Sequence, residues 1–151
     1  MGDADYRADQ NARLRDPHIE PITDLVDRLR EVGLGWVPYV APAHGGVNAR
    51  VVSLLRDPGP MTLGGVGSGM LSTENDDPTA ERMSVLFAAA GIAQAEVLPW
   101  NAYPWYVNRA LTAAERQAGI SPLVELLDLA PNISVVLLQG NDAQDSWSVG
   151  R

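Results

Sequence analysis

Two short apolar runs that end abruptly in polar residues constrain this chain more than any other feature. Val51-Val52-Ser53-Leu54-Leu55 stops at Arg56-Asp57-Pro58-Gly59-Pro60, and Val97-Leu98-Pro99-Trp100 stops at Asn101. Short apolar runs bounded by proline and glycine read as buried strands. In an open α/β sheet, ligands bind outside the carboxyl ends of the strands. Two such ends therefore place a carboxylate, Asp57, and a carboxamide, Asn101, on one rim. A carboxylate orients or deprotonates water, and an amide reads a donor and acceptor edge. That pairing suits chemistry on a nucleobase.

The rest of the chain supplies the other layers of such a fold. Ile22, Leu25, Val26, Leu29 and Val32 recur at helical spacing, and Gly33 with Gly35 ends the helix. A strand over about 49–55 is followed by a long irregular loop to Pro78. Asp77-Pro78 reads as an N-cap and first-turn proline for a helix to about Ala90. A second strand spans about 96–99, Thr112 and Glu115 form a capping box, and Ser121-Pro122 opens a further helix to about Leu129. Ile133 to Gln139 is the third strand. The alternation predicts a three-layer α/β/α sandwich with a short parallel sheet. Residues 1–18 lack apolar periodicity and read as a flexible N-terminal tail, and 19–151 as one domain.

Composition removes several chemistries. With no cysteine there is no disulfide, thiolate nucleophile or iron–sulfur cluster. His18 and His44 stand in separate loop-like contexts, so no metal site and no cofactor is expected. All 11 basic residues are arginine, so no side chain can form a Schiff base and no Walker A motif can be completed. A net charge of −8 counts against a general nucleic-acid binder and leaves room for a local basic patch. The N-terminus is polar and acidic, and no apolar run reaches membrane-spanning length, so a cytoplasmic protein without membrane contact is expected.

Each candidate residue also has a plainer reading. Asp-Pro-Gly is a common turn sequence, and methionine at position 70 is ordinary core filler. Asp76 and Asp77 read as helix capping rather than as a catalytic pair. Trp100, Tyr103, Trp105 and Tyr106 form either a packed loop or a surface that contacts bases. Arg50, Arg56 and Arg109 lie near strand ends, where they reach phosphate or simply sit on the surface.

Three segments in this order resemble the uracil-DNA glycosylase superfamily, specifically its cysteine-free bacterial branch. They are Arg56-Asp57-Pro58-Gly59, Gly67-Ser68-Gly69-Met70-Leu71-Ser72 and Leu98-Pro99-Trp100-Asn101. The likeness covers about 37–140. It implies DNA containing uracil as partner and hydrolysis of the N-glycosidic bond. By the same resemblance Asp57 orients water and supports the developing sugar cation, Met70 stands where an aromatic ring stacks on the base, and Asn101 pairs with the uracil edge. Gly59 replaces a bulky residue that blocks a 5-methyl group, which implies looser discrimination against thymine. Arg56, Ser68, Trp105 and Arg109 are the candidate DNA contacts.

The family carries a histidine-containing loop and a further strand after the third. No histidine follows His44, and no fourth strand precedes Arg151. The expectation is a sheet lacking its last strand, with Ile133 to Gln139 an exposed edge open to self-association, and weak or absent activity. The alternative is a non-catalytic remnant or a nucleobase- or DNA-binding module of the same fold.

Overall fold

Val51–Leu55 (β2) is the central strand of a three-stranded parallel sheet, between Val97–Asn101 (β4) and Val135–Leu138 (β5). The computed structural model describes residues 1–150. A second, two-stranded parallel ladder joins Tyr39–Val40 (β1) to Met70–Leu71 (β3). Among the described residues six α-helices complete the order: Ala4–Ala12 (α1), Glu20–Glu31 (α2), Pro78–Ala89 (α3), Ala113–Ala118 (α4), Ile120–Leu129 (α5) and Asn141–Val149 (α6). The result is an α/β sandwich with short parallel sheets.

Strand alternation divides the larger sheet into two faces. Val52, Leu54, Leu98 and Trp100 point into the main core, where they join Ile22, Leu25, Val26 and Leu29 of α2 with Leu123 and Leu126 of α5. Burying each large side chain here contributes roughly 1.5–3 kcal/mol. The opposite face presents Val51, Ser53 and Leu55 from β2 and Val97, Pro99 and Asn101 from β4. Ala80 and Met83 of α3 line a cavity together with Ser53, Pro99 and Asn101, so α3 stands across that cavity from the β4 side of this face. Val135 and Leu137 of β5 remain 45% and 38% exposed there.

Several local signals act as the sequence implies. Asp77 caps α3 by accepting from Ala80 N at 2.8 Å, and Thr112 with Glu115 closes a capping box on α4. Gly33 follows α2 with φ +81°, a left-handed conformation that glycine adopts without penalty. Among the described residues the third strand, β5, is an edge paired only with β2, and it runs over 135–138, shorter than the expected 133–139.

The N-terminal residues differ from the expected flexible tail. Asp3 caps α1 by accepting from Tyr6 N, and the fully buried Gln10 accepts from Ala43 N at 2.8 Å. Thr23 Oγ1 donates to Leu14 O, and Arg15 pairs with Asp24 and Asp27. The N-terminal segment is tied down by these polar contacts rather than by an apolar stripe, so periodicity could not reveal it. The terminal helix α6 was likewise not anticipated. Ala143 and Ser146 are buried, and Arg116 pairs with Asp142 at 2.7 Å.

No helix among the described residues is long and apolar enough to cross a membrane.

Candidate functional site

Parallel pairing of β2 with β4 brings Leu55 level with Asn101, so both chains leave the sheet at one rim. The ladder continues one step further, with Ala102 N donating to Leu55 O and Tyr103 N to Arg56 O. A cavity of about 400 Å³ opens at this rim. Its floor includes Ser53, Leu55, Pro99 and Asn101, and its walls include Asp57, Gly59, Met61, Leu71, Asn75 and Met83. This volume lies in the range of small-ligand sites.

Asp57 occupies the turn after β2, and its side chain is almost fully buried. Oδ1 accepts from Arg56 Nε at 2.6 Å, while Oδ2 accepts from Val107 N at 3.3 Å and Asn108 N at 2.6 Å. The carboxylate therefore ties the β2 turn to the loop that follows β4. Asn108 adopts φ +54°, a left-handed conformation that asparagine tolerates better than most residues. With three donors in place, one of its roughly four acceptor directions remains open.

Asn101 ends β4 and is 2% exposed, and its Nδ2 is buried with no hydrogen-bond partner among the described residues. A buried donor left unpaired costs roughly 1–3 kcal/mol. An orphan amide that lines a cavity is suited to a ligand acceptor. At Gly59 an added Cβ would meet nothing within 4 Å, so the cavity has free space at that wall.

Met70 does not take the place expected of it. Its side chain is fully buried and absent from the cavity wall, and Leu71 lines the cavity instead. Pairing of Met70 with Tyr39 and Leu71 with Val40 fixes which side chain faces which way, and successive residues alternate. The sulfur-bearing side chains at the cavity are Met61 and Met83.

The glycine loop serves as a wall. A Cβ at Gly67 would lie 2.0 Å from Met61 O, so only glycine allows this close approach. Ser68 Oγ donates to Asn75 Oδ1 at 2.7 Å, and Asn75 Nδ2 donates to Met70 O at 2.9 Å. Ser68 is thus an internal brace for the loop rather than a free contact to DNA.

Trp105 is also withdrawn as a DNA contact. It is 3% exposed, stacks at a tilt on Tyr103 with centroids 5.1 Å apart, and donates from Nε1 to Leu29 O at 3.0 Å. Arg56 and Arg109 are more open, yet each already has a carboxylate partner. Arg109 grips Glu115 through two bonds of 2.6 and 2.9 Å, which with the Thr112 N–H hold the Glu115 carboxyl down to about 2.

Ser53, Met61, Asn75 and Met83 are cavity residues that sequence reasoning missed. Ser53 is a polar residue inside an apolar strand, a signal that was available. No group of three or more His, Cys, Asp or Glu residues among the described residues is arranged to hold a metal ion. In comparisons with known proteins, no family model matches this chain and no curated protein shows significant similarity to it.

Proposed function

We propose that this chain is a DNA repair glycosylase of the uracil-DNA glycosylase type, hydrolysing the N-glycosidic bond of uracil or a related deaminated base in DNA. The observation that carries the reading is the shared cavity: a buried carboxylate, Asp57, and a buried carboxamide with an unpartnered N–H, Asn101, at adjacent strand ends. An enzyme of this kind extrudes the base from the stack at a cost of a few kcal/mol and holds it in a fitted site.

In the reaction, the oxygen of a water molecule bonds to C1′ of the sugar as the C1′–N1 bond breaks. The bonding pair leaves on the base as an anion, positive charge develops on the sugar, and the proton shed by the attacking water passes by way of the Asp57 carboxylate to solvent. Asp57 holds the water through its one open acceptor direction and stabilises that positive charge. Asn101 Nδ2 donates to a carbonyl oxygen of the departing base, where negative charge accumulates. The free space at Gly59 admits a 5-substituent on the base. The proposed location is the cytoplasm, with DNA as partner.

A second reading is a nucleobase-binding module without catalysis. The three hydrogen bonds already made by Asp57 favour it, because they give the carboxylate a structural task. An oligonucleotide containing one uracil separates the two readings. The glycosylase yields abasic sites that break only after alkali, with no borohydride-trapped side-chain adduct, because the chain has no lysine. Strand cleavage without alkali, or no uracil release above buffer, contradicts the glycosylase reading.

A further inference from the structure

Ser53 sits at the middle of the central strand, flanked by Val51, Val52, Leu54 and Leu55, and is 2% exposed. A hydroxyl buried among such neighbours is costly unless it is hydrogen-bonded. Its partner comes from 86 residues away: Gln139 Nε2 donates to Ser53 Oγ. Gln139 is held there by its own backbone, whose N–H donates to Leu54 O at 2.9 Å. Leu54 pairs with Leu138, so Gln139 falls beside Leu55 on one side, as Asn101 does on the other. Two carboxamides about 10 Å apart thus flank Leu55 on one face of the sheet.

Having accepted from Gln139, Ser53 keeps its own O–H for donation, and no acceptor among the described residues takes it. Asn101 Nδ2, one strand away, has no partner at all among the described residues. Both side chains line the cavity. Two buried donors at diagonal positions on adjacent strands call for a ligand that brings two acceptors.

We propose that Ser53, oriented by Gln139, is a second specificity-determining donor of this cavity, so that the ligand is a neutral ring carrying two carbonyl oxygens, one read by Asn101 and one by Ser53. This rests on the reading of the cavity as a nucleobase site and narrows it to dicarbonyl pyrimidines. A base with an amino group in place of either carbonyl sets donor against donor and is rejected.

Calorimetric titration of the 151-residue chain with uracil, pyrimidin-2-one and pyrimidin-4-one tests this. The wild type binds uracil more tightly than either single-carbonyl ring. Ser53→Ala weakens uracil roughly three- to tenfold, the size of one neutral hydrogen bond. The same variant leaves unchanged the binding of the pyrimidinone that lacks the carbonyl Ser53 reads. Gln139→Glu reproduces the pattern without altering β2, because the new carboxylate captures the Ser53 proton. If Ser53→Ala weakens all three rings equally, or none, the Ser53 assignment is overturned while the base site stands. If the wild type binds none of the three, the reading of the cavity as a base site falls, and this assignment with it.

Discussion

At the scale of single residues, Asp57 has two tasks that pull on one side chain. Its carboxylate is the proposed holder of water, and it is also the clamp between the β2 turn and the Val107–Asn108 loop. Asp57→Asn keeps the shape but replaces one acceptor oxygen by a donor, so at least one of its present donors loses its partner. We expect a loss of about 1–3 kcal/mol in denaturant unfolding, together with a fall of two orders of magnitude or more in uracil release. An unchanged stability would mean that the clamp is not formed. Asp57 and Asn101 were legible in the sequence because apolar runs and proline or glycine stops are local signals. Met70 was misplaced because its facing depends on pairing with Tyr39, and Trp105 because the acceptor for its indole N–H is Leu29 O, 76 residues away. Ser53 was legible as a polar residue inside an apolar strand, whereas the role of Gln139 was not, because its partner Ser53 lies 86 residues away.

At the scale of elements, β5 is the exposed part of the sheet. In its register with β2, Val135 N donates to Arg50 O, an acceptor it shares with Ser134 N, and Gln139 N donates to Leu54 O. Val136 and Leu138 therefore direct their backbone groups to the free edge. Unpaired edges of Val- and Leu-rich strands recruit other chains. Sedimentation of the chain should show association that grows with concentration. Val136→Pro should abolish it, because proline there blocks the outer edge and removes no bond to β2. Association that survives this change would assign the contact to another surface. The apolar character of β5 was plain in the sequence, but a continuous apolar run is also what an interior strand looks like.

At the scale of the whole molecule, charge and pH shape behaviour. Most arginines are spent on internal partners, as in Arg15 with Asp24 and Asp27, Arg28 with Glu125 and Arg116 with Asp142. Buried His44 lies behind the cavity wall, accepting at Nε2 from Thr73 N at 3.2 Å. Burial lowers its pKa from 6.5 to about 4, opposed in part by the backbone at Gln94 and Val97. The folded state thus holds His44 neutral where the unfolded chain already takes up a proton. Its contribution is fully present above pH about 6.5 and is lost as pH falls towards 4, roughly 3 kcal/mol in all. Melting temperatures across this window should decline, and His44→Gln, whose side-chain oxygen can still accept from Thr73, should flatten the decline. An equal slope in the variant would place the acid sensitivity elsewhere.

In the proposed function the Asn101 carboxamide is the donor to a uracil-type base in this cavity. The side-chain amide resonance of Asn101 in nitrogen-15 NMR reports on it directly. Titration with uracil is predicted to move that resonance along a saturable curve while the exposed Asn11 of α1 stays fixed. An Asn101 resonance that stays put at saturating uracil, or that moves no more than Asn11, would contradict the account.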